Sequence, residues 1–346
     1  MSYRREYYYD SEEREGRYPL DEQLGIEGEV SPGVKRVLVK LSTRMPYQSA
    51  VDVFEELAQV KVSASTAWEL TQAAGECVRS ALKPIATVSE PSKTELACMG
   101  ITMDGCMANV RAEGWKEVKV GCVFEASTNG ESTRNQQGES VPVVQAKAQS
   151  YVLHLGGPEE FGGKLSVETQ ARGWHAAHQS ATIGDGAAWI WNLANRDYAS
   201  SAHIVDWYHA KQHLFSAAQV TCLDQPDHAA AWVEQHADLL YAGHADHIAD
   251  RLLALAALAK PDGQAKLETE AGYFSANHQR MQYRDFQLAA LPIGSGTVES
   301  GAKQTKQRIS AAGMRWSRRG LENLLPWRAA LMSNAFDHLW RVACPR

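Results

Sequence analysis

Four carboxylates and one histidine carry the chemistry that this chain can be read for. The stretch 181–214 reads strand, helix, strand, helix. Its first strand, Ser180–Ile183, ends on Gly184-Asp185-Gly186, where flanking glycines permit a sharp turn and leave the carboxylate open to a ligand. Its second strand, Ala202–Val205, also ends on an acid, Asp206, and His209 follows one turn into the next helix. Ligands of open α/β sheets gather beyond the carboxyl ends of the strands. Asp is also a common helix N-cap, so Asp206 is open to either role, and His209 is open to being an ordinary half-buried helix histidine.

Partners for Asp185 stand elsewhere. An apolar strand, Ala97–Met103, ends at Asp104-Gly105, and Glu299 lies in the first turn of a helix, Thr297–Ala312, after the turn Pro292-Ile293-Gly294-Ser295-Gly296. Converging carboxylates repel and raise each other's pKa unless a cation neutralises them. A set of hard oxygen donors without Cys suits Mg²⁺ or Mn²⁺. Two such ions about 4 Å apart activate water and stabilise the leaving oxygen in phosphodiester cleavage. Asp104, Asp185 and Glu299 are therefore the expected catalytic residues and metal ligands, with two bound ions.

These residues must be positioned by a sheet and its helices. Ala108–Arg111 and Val118–Glu125 read as hairpin neighbours of the first strand, and Thr128–Ser140, rich in polar residues and glycine, reads as a surface loop. Ala148–Leu155 reads as a strand or the start of an outer element, and Glu159–Arg172 as a helix. Hairpin strands followed by alternating helices and strands predict a mixed sheet in an α/β domain. Residues 215–290 show helical periodicity and no convincing strand, which predicts an all-helical insertion. Within it Trp232 is open to two roles, a base-stacking wedge or a core residue.

Toward the N-terminus, residues 1–45 read as partly extended. Residues 46–82 read as a helix, a break at Val60–Ser63, and a second helix over Thr66–Gly75 capped by Ser63 or Ser65. That outline fits a helix-turn-helix, though short helical pairs are common. Pro84–Lys93 reads as a linker.

The 346-residue chain is long enough for two or three domains. It has no run of transmembrane length, and its N-terminus is no signal peptide, so the cytoplasm is the expected compartment and no membrane partner is expected. Its six cysteines form no CxxC pair, and buried thiols are the expectation. The net charge of −6 argues against a nucleic-acid partner when taken alone. From Glu299 to Arg346, however, nine Lys/Arg face three acids, so a tail of +6 sits on a body of −12. That is either a local polyanion site or a solvated helix face.

Five stretches carry a resemblance: ITMDG (101–105), IGDGA (183–187), VDWYH (205–209), PIGSGTVESG (292–301) and MRWSR (314–318), with PLDEQLGI (19–26) upstream. In this order the chain resembles DDE-type transposases of the ISKra group of bacterial insertion sequences. The resemblance implies a ribonuclease H-like core over 91–214 and 291–346, interrupted by the insertion 215–290, with a helix-turn-helix-like unit and linker over 46–90. It implies metal-dependent hydrolysis and strand transfer of DNA at the element's ends, with assembly as a homodimer on DNA and a nucleoid-associated location. Asp206 and His209 inherit a supporting role. Lys303, Lys306, Arg308, Arg315, Arg318 and Arg319 become a phosphate-contacting track. A Cys pair is expected near the tyrosines before PLDEQLGI, yet YYYDSEEREGRY has none. Either the copy is truncated or a metal-binding module is absent. Two further readings stand beside this one. A glycoside hydrolase would use two of the acids without a metal, and a non-catalytic DNA-binding protein would use residues 46–82, with the acids serving as caps.

Overall fold

The computed structural model describes residues 6–12, 14–24, 30–80, 98–222 and 226–344. The expected linker Pro84–Lys93 lies outside them. The chain begins with a small hairpin, β1 (Tyr8–Asp10) and β2 (Glu15–Arg17), and a short helix, α1 (Pro19–Leu24). Three helices follow: α2 (Pro32–Arg44), α3 (Tyr47–Ala58) and α4 (Ala64–Arg79). The segment before residue 46, read as partly extended, therefore contains a full helix. Ser31 caps it and Pro32 opens it, a start for which proline's fixed φ is suited. Ser63 caps α4 by accepting from Thr66 N at 3.0 Å. Leu38, Val51, Phe54 and Ala67 form the small core of this unit.

The main sheet has five strands in the order β5-β4-β3-β6-β7. These are β3 (Cys98–Val110), β4 (Gly114–Arg134), β5 (Ser140–Leu155), β6 (Gln179–Gly184) and β7 (Ala202–Val205). β3, β4 and β5 pair antiparallel, while β6 and β7 run parallel to β3, so the α/β sheet is mixed. Two sequence expectations change here. β3 does not end at Asp104 but runs on to Val110, and Ala108–Arg111 is its continuation, because the ladder to β4 holds from Cys98↔Ala126 through Val110↔Gly114. Thr128–Ser140 is not a loop. β4 and β5 continue as a two-stranded ribbon closed at Asn135–Glu139, and exposure of its β4 strand on both faces lets polar residues occupy strand positions there.

Helices cover both faces of the sheet. α5 (Pro158–Ala171) seats Phe161 and Leu165 against Gly121, and α6 (Ala188–Asp197) joins α5 through an edge-on Phe161–Trp189 contact. On the opposite face α12 (Gly296–Ile309) crosses β3 and β4, and α13 (Arg318–Met332) lies on β5. α12 comes so near that a Cβ on Gly301 would stand 2.4 Å from the Tyr151 ring. α7 (Trp207–Thr221) leaves β7 and leads into α8 (Pro226–Tyr241), α9 (Ala245–Ala256), α10 (Pro261–Asn277) and α11 (Tyr283–Leu288). Among the described residues, 215–290 contain no strand, as the periodicity implied. α14 (Phe336–Ala343) closes the chain. No helix of the described residues is long and apolar enough to cross a membrane.

The N-terminal unit does not stand apart. α4 lies along α13, with Asn323 Nδ2 donating to Gln72 Oε1 at 3.0 Å and Arg319 pairing with Glu76 at 2.9 Å.

Candidate active site

Strand register decides where the acids stand. β3 and β6 pair Thr102 with Ile183, and β6 and β7 pair Gly184 with Val205. Carried forward, the parallel register sets Asp104, Asp185 and Asp206 level with one another on three adjacent strands. In-register side chains of neighbouring strands share a face. Asp104 faces with its partner Val120, opposite Gly121 and the α5 side, so it lies under α12. The sequence reads all three as strand-end acids; Asp104 belongs to the row although its own strand continues past it.

Each acid of the row is held differently. Asp104 is half-buried, and its Oδ1 accepts from Gly105 N at 2.6 Å. Burial, with the charge of Asp185 beside it, pushes its carboxyl above the usual Asp range, and the Gly105 amide, His209 and Lys306 pull against that rise. Asp185 Oδ1 accepts from Ala187 N at 2.9 Å, closing a tight turn across Gly186, whose φ of +106° suits only glycine. Asp206 is fully buried. It caps α7 by accepting from His209 N at 2.8 Å, and its other oxygen accepts from Ser295 N. With Trp207 N donating to Ile293 O at 2.9 Å, these bonds pin the turn that starts α12 to the start of α7. The N-cap role of Asp206 is therefore real, and its carboxylate is spent on backbone amides.

α12 brings Lys306 within electrostatic reach of Asp104 and of the buried thiol of Cys106, which burial pushes up to about 12. Glu299, in the first turn of the same helix, is directed to Lys303 at 3.7 Å. Asp185, His209 and Lys306 are thus within electrostatic reach of Asp104, while Glu299 pairs with Lys303 on its own helix. Among the described residues no three His, Cys, Asp or Glu side chains stand close enough to hold a metal ion. The paired oxygen donors of Asp104 and Asp185, one of them already raised by the other's charge, fit a hard divalent cation in kind; a third donor would have to come from a turn of α12.

The insertion reaches this site through residues that sequence reading passed over. Tyr273 of α10 donates its hydroxyl to Asp185 O at 2.9 Å, and its ring fills the space a Cβ on Gly186 would need, 2.6 Å away. His213 stacks on that ring at 3.5 Å between centroids, and its Nδ1 lies 2.6 Å from Glu270 Oε2. Burial, then the charges of Asp185, Asp206 and Glu270, drives the Tyr273 hydroxyl far above its ordinary value. Glu270 and Tyr273 share a helix face at i, i+3 spacing, but nothing in the sequence ties that face to Asp185. Trp232 takes the core role instead, half-buried and stacked on His236 at 3.7 Å.

The expected basic track divides. Arg308 is 1% exposed and donates its Nε to Ser42 O at 2.7 Å, so it cannot meet a phosphate. Arg318 forks onto Glu113 at 2.6 and 2.8 Å and reaches Glu322 at 3.5 Å, while Arg319 holds Glu76. Lys303, Lys306 and Arg315 remain exposed. The second helix of the expected helix-turn-helix is docked on α13 through Gln72 and Glu76 and shows solvent Glu69 and Trp68, a poor surface for a polyanion.

Residues 1–337 match the uncharacterised protein family UPF0236, and the chain belongs to that family. No curated protein matches it. Among solved structures it is similar to the Drosophila P element transposase strand transfer complex, at 9% identity and a TM-score of 0.31, over 94% of this chain and 83% of that one.

Proposed function

We propose that this protein is a metal-dependent DNA strand transferase of the DDE type on a ribonuclease H-like core, acting at the ends of an insertion sequence. The observation that carries the reading is the register that levels Asp104 with Asp185 under α12, where Asp104 is held at a raised pKa by burial and by its neighbour's charge. Two carboxylates crowded together without stabilising each other make sense as a cation site.

Asp104 and Asp185 would hold Mg²⁺ or Mn²⁺, and Glu299 would complete the set once its carboxylate leaves Lys303. When bound, such ions polarise the scissile phosphate and lower the pKa of a coordinated water. The chain's own residues do the rest. Asp206 fixes the turn 293–295 and so the direction of the first turn of α12. Tyr273 holds the Asp185 carbonyl and keeps the Gly186 turn closed. Lys306, with Lys303 and Arg315, would meet phosphates flanking the reacting one, and His209 lies within electrostatic reach of Asp104. DNA is the partner this arrangement calls for, and a homodimer assembled on it is part of the same proposal, as is a cytoplasmic, nucleoid-associated location.

The test is cleavage of DNA carrying the element's own ends in Mg²⁺ or Mn²⁺, for the parent chain and for Asp185→Asn. Loss of cleavage with retained DNA binding is expected. Cleavage by Asp185→Asn at the parent rate would remove the proposal.

A further inference from the structure

Five buried polar atoms that lack a hydrogen-bond partner collect where α2, α4, α12 and α13 meet: Ser42 Oγ, the Tyr47 hydroxyl, Gln72 Nε2, Arg308 Nη2 and Arg328 Nε. Their placement is tied together by the bonds around them. Arg308 donates its Nε to Ser42 O at 2.7 Å, and Arg328 donates to Thr43 O at 3.3 Å and to Gln304 O at 2.6 Å. The Arg308 guanidinium lies 5.2 Å from the Tyr47 ring centre and 4.9 Å from that of Trp316. The Tyr47 hydroxyl approaches both Gln72 and Arg308 without good geometry to either. Gln72 is oriented by accepting from Asn323 Nδ2 through its Oε1, so its amide N–H bonds point at the cluster.

The charge there does not balance. Arg308 is 1% exposed and Arg328 6%, and among the described residues no carboxylate acts on either. Among the described residues their acceptors are backbone carbonyls, two of them in the last turn of α2, whose end carries roughly half a negative charge. More than one positive charge is left over in a site that water scarcely reaches. Buried charge of that kind is costly unless it is paired. A trapped water would satisfy hydrogen bonds but supply no charge, and every one of the five orphan atoms can donate.

We infer that this joint binds a small inorganic anion of the chloride class, held by Arg308, Arg328, Tyr47, Gln72 and Ser42. The anion would clamp the N-terminal helices to α12 and α13, and the inference stands independently of the proposed strand transfer.

Thermal unfolding of the full chain tests it, at constant ionic strength with sodium chloride exchanged for sodium gluconate. The expected result is a Tm that climbs with chloride along a saturating curve, as for a ligand that binds only the folded state. Tyr47→Phe should raise the half-saturating chloride by about tenfold, the worth of one hydrogen bond to a charged group. Arg308→Met should abolish the response. If that variant fails to fold, chlorine NMR line width decides: the parent chain broadens the chloride signal, and Tyr47→Phe broadens it less at equal chloride. A Tm indifferent to the exchange of anion, or a line width unchanged in Tyr47→Phe, overturns the inference and leaves the orphan atoms to water.

Discussion

The acid end of the sheet and the basic stretch 303–319 look alike in the sequence, each a set of like charges at suggestive spacing, and the fold treats them in opposite ways. The acids are fixed by strand register, which leaves them crowded: Asp104 and Asp185 remain level and uncompensated by any direct ion pair in the described residues. The bases are dispersed by helix packing. Arg308 turns into the core, while Arg318 and Arg319 spend their charge on Glu113, Glu322 and Glu76 from distant parts of the chain. Like charge held together by backbone geometry and left without an ion pair in the described residues is what the proposed cation site rests on, whereas paired charge is structural. The comparison also separates two neighbours in the acid row, since Asp206 is consumed by Ser295 N and His209 N and Asp185 is not.

Replacing Asp185 or Asp104 by Asn is the strongest way to break this contrast. Metal-dependent cleavage should fall on the order of 10³-fold or more, the loss of several kcal/mol of charge stabilisation. Thermal stability should hold or rise, because the variant removes one of two repelling charges. Asp206→Ala should do the reverse in calorimetry, costing about 1–3 kcal/mol for a lost cap and two stranded amides. If Asp206→Ala left Tm in place, its buried carboxylate would not be structural after all.

Proton competition sharpens the acid side. The Asp104 carboxyl is raised above its ordinary value of 3.8 by burial and by Asp185, so it takes up a proton earlier than a free Asp as pH falls. Mn²⁺ affinity should therefore weaken as pH drops through a window that begins above 3.8, by about tenfold per pH unit at most for one linked proton. The raised pKa works against folding stability, too. The protonated group favours the fold below that window, and this contribution is lost as pH rises through it. In Asp104→Asn the metal affinity, measured calorimetrically, should lose that slope. An unchanged pH profile would place the titrating group elsewhere.

The basic side is broken by salt titration of DNA binding. Lys303→Ala with Lys306→Ala should flatten the slope of log affinity against log salt by about one unit per lost contact. Arg318→Ala should leave the slope alone and cost no more than about 1 kcal/mol of stability, since its ion pairs with Glu113 and Glu322 are surface ones. Equal effects from Arg318 and Lys306 on the slope would erase the distinction drawn between them.

Much of the molecule was legible from residue order. The alternation of strands and helices predicted the mixed sheet, the 3.6 periodicity of 215–290 predicted a helical block, and Gly184-Asp185-Gly186 marked the tight turn that carries Asp185. Capping chemistry at Ser63 and Asp206 could be read from residue type, because a cap is a local bond. Strand ends were less visible. Met103-Asp104-Gly105 looks like a terminus, but the ladder to β4 overrides local preference and carries β3 six residues further, to Val110.

What the sequence determined by itself is the set of groups able to do chemistry and the local elements that bear them, since both follow from side-chain type and short-range spacing. Tertiary structure alone decided which of those groups remain free. Helical periodicity puts Glu299, Lys303 and Lys306 on one face but cannot say that Lys306 comes to Asp104 while Glu299 meets Lys303. Nor can it say that Arg308 meets the end of a helix 266 residues earlier, or that Tyr273 of the insertion and His213 of α7 brace the Asp185 turn. Those outcomes depend on contacts between segments far apart in the chain, and a charge is free or spent only once its neighbours in space are known.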